Sequence, residues 1–171
     1  MKSLVPLFLL TISSQLHANE SYVGIDYFAS RLDIANEESK PAMVNLRLGT
    51  ELMRKIYIEG QYMVSSSDDD VYRLNMDFDE SYGAYLRFES LSEGDLTTEI
   101  SLGYASTDIA TKGPEDTYTG TDTVVGFAWG IALNQRIQWV EGLKLRAGYQ
   151  SLYDKDDIKI DGFTLGFSYS F

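Results

Sequence analysis

From Ser21 to the last residue, apolar and polar side chains alternate with a period of two, in segments separated by polar or glycine-containing stretches. Such alternation is typical of β-strands whose two faces lie in different surroundings. Seven segments precede the terminal one and span residues 23–29, 44–52, 56–64, 82–89, 99–104, 125–134 and 143–150. In the terminal segment, GFTLGFSYSF, one face carries only bulky apolar residues: Phe163, Leu165, Phe167, Tyr169 and Phe171. The sequence therefore predicts an all-β fold of eight antiparallel strands.

The connections between these segments alternate in length. Short ones cover residues 53–55, 90–95 and 135–141, whereas long, acidic ones cover residues 30–41, 65–80 and 107–120. The last hairpin, near residues 154–157, departs from this alternation because it is short. Within residues 65–80, four apolar residues keep the register of Tyr82: Tyr72, Leu74, Met76 and Phe78. We expect them to extend the next strand into a protruding hairpin, with a lid over the barrel as the alternative.

The glycines indicate which face of the strands points inward. Ten of the 14 glycines lie within the predicted strands, and all but Gly60 lie on the polar face. A water-exposed face has no reason to concentrate glycine, but the interior of an eight-stranded barrel is barely wide enough for side chains. We therefore expect an up-and-down barrel with its polar face inside and its apolar face towards lipid. A soluble, lipocalin-like barrel with the opposite orientation is the alternative.

Charged residues on the polar face predict an interior core of ion pairs, because a buried charge without a partner costs several kcal/mol. The expected members are Arg47, Glu51, Glu59, Arg87, Glu89, Glu99, Lys144 and Arg146. We interpret this core as structural, since it would fill the barrel. An aqueous channel is not expected, because porins use about 16 strands.

Aromatic residues on the apolar face predict two girdles at the membrane interfaces. The girdle near the long connections comprises Tyr27, Tyr62, Tyr104, Tyr149 and Tyr153. The girdle near the short connections comprises Phe88, Tyr169 and Phe171.

The first 18 residues differ in character from the rest. A positive start at Lys2, an apolar run over residues 4–12 and a small-residue end at Ala18 predict a secretory signal peptide. The expected organisation is a signal peptide over residues 1–18 and a single transmembrane barrel domain over residues 19–171. The only histidine, His17, would be removed with the signal peptide, and the chain has no cysteine.

The terminal FTLGFSYSF, together with YVGIDYFAS, ESYGAYLRFE and LTTEISLGYAS, resembles the small eight-stranded outer-membrane barrels of the OmpA/OmpX type. The resemblance implies a bacterial outer-membrane location after cleavage, with the long connections outside the cell. It implies that Phe163, Leu165, Phe167, Tyr169 and Phe171 form the C-terminal signal that the outer-membrane assembly machinery recognises. Because no segment follows the last strand, we expect no periplasmic peptidoglycan-binding domain.

The composition narrows the possible functions. A net charge of −12 argues against nucleic acid as a partner. Enzymes among small outer-membrane barrels place a histidine at the active site, so we expect no enzyme and no cofactor; an enzyme acting on lipid is the third hypothesis. The expected partners are outer-membrane lipid and lipopolysaccharide. An acidic run, Asp68, Asp69 and Asp70, is a speculative cation site, for which a solvated loop is the preferred interpretation.

The leading hypothesis is a non-enzymatic outer-membrane barrel with a role in envelope integrity or in surface interaction, including adhesion, through acidic loops. The alternative is a barrel, soluble or membrane-bound, that binds a small hydrophobic ligand. The sequence does not identify an extracellular partner.

Overall fold

The computed structural model describes residues 20–34, 37–67, 75–91, 94–112, 119–155 and 158–171. Every regular element in these ranges is a β-strand, as the alternating pattern predicts. The strands are β1 Ser21–Ile34, β2 Glu37–Ser39, β3 Ala42–Met53, β4 Ile56–Ser67, β5 Asn75–Glu89, β6 Leu96–Lys112, β7 Thr119–Arg136, β8 Leu143–Lys155 and β9 Ile158–Ser170.

The strands form one closed antiparallel barrel. From β3 onward each strand pairs with the next, and β1 pairs with β9 as well as with β3. The three-residue β2 pairs only with the tip of β1, on the edge of β1 that β3 also uses, so β2 and β3 together occupy one position in the wall. The structure therefore confirms the predicted eight-stranded up-and-down barrel.

Both chain ends of the barrel lie together. The backbone N–H of Ser21 donates to the carbonyl of Phe171 at 3.1 Å, and the N–H of Phe171 donates back to Ser21 at 2.8 Å. The three short connections lie at the same end, which we call the terminal end; the opposite end is the distal end. Lys55 and Gly142 lie in two of these turns with positive φ angles of 64° and 81°.

The long connections are shorter than the sequence indicates. β1 continues to Ile34, β6 continues to Lys112 and β7 begins at Thr119, so much of residues 30–41 and 107–120 is strand. β5 begins at Asn75, and the expected extension of this strand is therefore present, although Tyr72 and Leu74 lie outside the described residues. A β-bulge between Phe78 and Ser81 shifts the pairing with β6, so the register of Tyr82 does not carry through to Phe78.

Inward and outward positions alternate as predicted for a barrel in lipid. On β1, Ile25 is 51% exposed, whereas Asp26 is 1% exposed. Trp129 on β7 and Leu102 on β6 are also outward and exposed, and the lipocalin-like orientation is wrong. Glycine allows close packing inside the barrel: at Gly126, an added Cβ atom would lie 2.6 Å from the ring of Tyr153.

Candidate functional site

The interior nearer the terminal end is filled by an alternating chain of three arginines and three carboxylates, which we call the ionic half: Glu59, Arg47, Asp26, Arg146, Glu99 and Arg87. Asp26 lies at its centre, with Oδ2 at 2.7 Å from Arg47 Nε and at 3.0 Å from Arg146 Nη1. Arg47 also contacts Glu59, at 3.3 Å. The Glu99 carboxylate accepts hydrogen bonds from Arg146 Nε at 2.7 Å and from Arg87 Nη1 at 2.9 Å. The three positive and three negative charges balance, as burial requires.

Two tyrosine rings complete the packing of the ionic half. The Arg87 guanidinium carbon lies 4.2 Å from the ring centroid of Tyr22 and 4.1 Å from that of Tyr57. The Tyr22 hydroxyl donates to Glu59. Gly49 lies against the Tyr22 ring, where a side chain would collide with it. These cation–π contacts hold Arg87 in place in addition to its ion pair.

The remaining predicted members of the core lie nearer the rim of the terminal end. Lys144 and Lys55 approach Glu89 at 3.2 Å and 3.7 Å. Glu51 lies apart from the arginine chain, and its carboxylate accepts the backbone N–H of Lys55 at 2.8 Å. The sequence prediction omitted Asp26, the central acid, although the alternation of β1 had already placed it on the polar face.

An amide layer separates the ionic half from the interior beyond it. Gln61 Nε2 donates to Glu59 at 2.6 Å, and Gln61 Oε1 accepts from Asn45 at 3.2 Å and from Gln150 at 2.8 Å. Gln150 also donates to the Tyr85 hydroxyl at 3.2 Å. Neutral amides therefore bridge the charged groups to the apolar side chains that follow.

The interior towards the distal end is apolar, and we call it the apolar half. Its buried residues are Phe28, Leu32, Met43, Met63, Tyr85, Ala105, Ile109, Ala128, Leu152, Tyr153 and Ile160. Phe28, Met63 and Ile160 are at most 1% exposed, and Arg47 in the ionic half is likewise 0% exposed. The described side chains of the apolar half pack against one another in one cluster.

Tyr153 is a correction to the predicted girdle. A β-bulge between Ser151 and Tyr153 changes which face β8 presents, so Tyr153 lies in the apolar half and is 8% exposed. Tyr149 of the same girdle lies on the outer wall and forms ring contacts. Tyr149 lies 5.9 Å from Trp129 and 5.4 Å from Phe163, between ring centroids.

The outer wall carries a continuous apolar band, which we call the lipid-facing belt. It includes the alternate residues of the C-terminal strand, all of which are exposed: Phe163, Leu165, Phe167, Tyr169 and Phe171. A band this large is incompatible with water on a monomer and matches the surface of a barrel in a bilayer. Within the described residues, no helix is long and apolar enough to cross a membrane.

Distal to the belt, three strands continue and form what we call the distal sheet: β5 residues 75–79, β6 residues 107–112 and β7 residues 119–124. β6 is paired on both sides here, with Lys112 opposite Asn75 and Thr119. Among the described side chains of this sheet, Thr123 donates to Asp108 at 2.6 Å. Asp68, Asp69 and Asp70 lie outside the described residues, and among the described ones no cluster of potential metal ligands occurs.

A closed antiparallel barrel with a lipid-facing belt and a polar, paired interior is a transmembrane β-barrel. The chain belongs to the family described as outer membrane protein beta-barrel domain, which it matches over residues 3–171. This assignment confirms the family that the terminal strand and the alternating segments resemble. No curated protein matches the chain by sequence.

Solved outer-membrane barrels share the fold at low identity. Neisserial surface protein A is 13% identical, with a TM-score of 0.72 over 88% of this chain and 97% of that one. Ail, the attachment invasion locus protein of Yersinia pestis, is 19% identical, with a TM-score of 0.66 over 90% and 99%. The N-terminal β-barrel domain of Pseudomonas aeruginosa OprF is 16% identical, with a TM-score of 0.63 over 90% and 99%. Another structure of Ail contains the heparin analogue sucrose octasulfate.

Proposed function

We propose that the protein is a non-enzymatic outer-membrane barrel whose distal sheet binds a partner at the cell surface. In this proposal the predicted signal peptide, residues 1–18, is removed, the terminal end faces the periplasm and the distal end faces outward. The observation that carries the proposal is an unpaired strand edge in the distal part of β7, beyond the ladder with β8.

The edge follows from the lengths of the ladders. β7 pairs with β6 from Thr119 to Gln135, but its ladder with β8 begins only at Trp129, opposite Ser151. Among the described residues, β7 from Thr119 to Ala128 therefore pairs through one edge only. An unpaired edge presents a row of N–H and C=O groups to which an extended segment of another protein can add as a further strand.

The charge of the distal sheet limits the chemical classes of partner that it can bind. Asp79 and Asp122 are exposed there and Asp108 is half-buried, so the surface is acidic. An acidic surface repels polyanions and favours a neutral or basic polypeptide. The partner would therefore differ in charge from the sucrose octasulfate found with Ail, although that protein's attachment role is consistent with a surface function for this fold.

The packed and paired side chains of the described interior support a surface role over the alternatives. A carrier of a hydrophobic ligand needs an internal cavity, whereas the described buried side chains of the apolar half pack against one another in one cluster. The titratable groups that the structure gathers inside the barrel are paired with one another and buried, which does not favour catalysis. A role in envelope integrity is the competing outcome of the experiment below.

The test removes nearly all of the β6 and β7 parts of the distal sheet and leaves the barrel intact. Thr107 lies opposite Val124, so residues 108–123 can be replaced with Asn-Gly, which forms a tight hairpin turn. In the matched control, Asn-Gly replaces only residues 113–118, because Lys112 lies opposite Thr119 and the sheet is kept. Gram-negative cells that produce each variant are scored for attachment to cultured target cells and to immobilised proteins. The same cells are scored for envelope permeability. Heat-modifiable gel mobility checks folding.

We expect attachment to be lost in the 108–123 variant and kept in the control, with unchanged permeability. Equal attachment by all three proteins, or loss in both variants, would contradict binding by the distal sheet. A permeability defect in the 108–123 variant without loss of attachment would favour envelope integrity instead.

A further inference from the structure

The distal part of β7 extends past the end of its neighbour β8. Trp129 lies opposite Ser151, and β8 ends at Lys155, whereas β7 extends much farther in the distal direction. Because residues pair one to one along an antiparallel ladder, β8 ends no farther out than Val125. Within the described ranges, no strand pairs with residues 119–124 of β7 on this side, which we call the free edge. It is about 20 Å long, the length of a common strand.

The inner face of the free edge carries Asp122. This residue lies opposite Ile109 of β6, whose side chain is buried in the apolar half. Residues directly opposite each other in an antiparallel ladder project from the same face of the sheet. Val124, two positions away on this face, is half-buried against the apolar half. The inner face of the free edge therefore presents an apolar side chain and a carboxylate next to each other.

The carboxylate of Asp122 is available to a partner. Its side chain is exposed, and none of the described residues forms an ion pair or a hydrogen bond with it. Asp108, by contrast, accepts a hydrogen bond from Thr123 on the outer face. A strand that adds to the free edge would bring one of its own side chains next to Asp122. A lysine or arginine there could lay its aliphatic stem along the apolar surface and reach the carboxylate with its charged end.

We propose that the partner of the distal sheet is an extended segment with a basic residue beside Asp122 and an apolar residue beside Val124. These two partner residues lie two positions apart, because side chains on one face of a strand recur at every second position. Opposite charges in facing pairs favour strand pairing and like charges oppose it, so Asp122 selects lysine or arginine over aspartate or glutamate. A second copy of this chain, with its net charge of −12, is disfavoured for the same reason. The inference deepens the proposed function and rests on it, because it requires that a strand adds to this edge.

The test titrates peptides into the folded full-length chain in detergent and follows the backbone amides of the protein by NMR. The basic peptide has six residues, all threonine except for valine at the second position and lysine at the fourth. This order suits antiparallel pairing with β7, which is slightly more stable than parallel pairing. The acidic peptide has glutamate in place of lysine. A third peptide keeps lysine but carries methyl groups on its backbone nitrogens, which removes the donors that strand pairing needs.

The protein variants change the charge of one side chain. D122N removes the carboxylate, and D122K replaces it with a cation. D33N is the control, because Asp33 is exposed at the distal end on β1, outside the distal sheet.

We expect the wild type and D33N to bind the basic peptide at least about threefold more tightly than the acidic one, with shift changes at residues 119–124. D122N should lose this preference and D122K should reverse it, with normal heat-modifiable mobility in both. Equal binding of the two peptides by the wild type, or an unchanged preference in D122N, would overturn the inference and leave strand addition standing. No shift changes at residues 119–124, or equal binding of the methylated peptide, would contradict strand addition itself and this inference with it.

Discussion

The wall of the barrel has opposite polarity in two regions, the lipid-facing belt and the part distal to it. In the belt, Leu165 of β9 is 57% exposed and Thr164 is buried inside. Farther along the same strand Ile160 is buried inside, whereas the side chain of Lys159 is 43% exposed. The strand alternates in both regions, but the apolar side chains exchange places with the polar ones. The medium outside the barrel therefore determines which face is apolar.

β1 shows the same inversion, and the interior follows it. Ile25 is exposed to lipid and Asp26 is in the ionic half, whereas Leu32 is in the apolar half and Arg31 is outside. Where lipid covers the wall, polar groups must be inside and must be paired with one another. Where water covers the wall, the interior can be built like the core of a soluble protein. Mutations in the two halves should consequently lower the stability of the barrel for different physical reasons.

The largest effect is expected from removing one charge from the ionic half. R47M leaves Asp26 and Glu59 short of a partner, and the unpaired buried charge should lower the free energy of unfolding by about 3–5 kcal/mol. R47M/E59Q removes one positive and one negative charge, so most of that loss should be recovered. Urea unfolding in lipid vesicles, followed by tryptophan fluorescence, measures both. A double variant less stable than R47M would show that charge balance does not control this half.

A cavity in the apolar half should lower the free energy of unfolding slightly less than R47M does. L152A removes a side chain that is 1% exposed and should lower the free energy of unfolding by about 2–5 kcal/mol. The matched control is L165A in the belt, where Leu165 is 57% exposed and lipid can fill the space. Added salt should leave the effect of L152A unchanged. If L165A were as harmful as L152A, the packing of the apolar half would not be the cause.

A smaller difference in the free energy of unfolding is expected between alanine substitutions at two glycines on opposite faces of the wall. In G126A, the new methyl group would press on the ring of Tyr153 and should cost about 1–3 kcal/mol. In G60A, no atom lies within 4 Å of the new methyl group, so stability should be unchanged or slightly higher. Unfolding of the two variants under the same conditions gives the comparison. Equal losses would mean that strand conformation, rather than interior crowding, explains the glycines.

The sequence predicts the belt well and the distal region poorly, for one physical reason. In the belt, alternation and glycine placement identify the strands and their lipid-facing side, and the charges of the polar face identify arginines such as Arg47. In the distal region the polarity inverts, so that Leu32 stands between Arg31 and Asp33, and such stretches resemble acidic loops. The available signal for a strand of inverted polarity was an isolated apolar residue between two charged ones. The bulge that turns Tyr153 inward depends on pairing between strands and has no local signature.

The smallest effect is expected on the outer face of the wall, at Asp161, which repeats the chemistry of the ionic half with partners, Arg31 and Lys159, that are exposed. Burial favours the neutral acid, but hydrogen bonds from Tyr149, Lys159 and Arg31 outweigh it and hold the pKa of Asp161 below its ordinary value. A group with a lowered pKa stabilises the fold above its unfolded pKa, and this contribution disappears as the pH falls through the folded pKa.

D161N should therefore lower the free energy of unfolding by about 0.2–1 kcal/mol at neutral pH, the range for surface ion pairs, because both cationic partners of the buried Asp161 are exposed. The difference from the wild type should vanish in acid below the lowered pKa of Asp161, and it should shrink in high salt at neutral pH. Urea unfolding in zwitterionic lipid vesicles at neutral and acidic pH, with and without salt, provides the measurement. The R47M defect should persist in high salt, because lipid and protein keep ions away from the ionic half. A D161N effect that resisted both acid and salt would mean that Asp161 acts through packing. The contrast between ion pairs with exposed partners and fully buried ion pairs would then not hold.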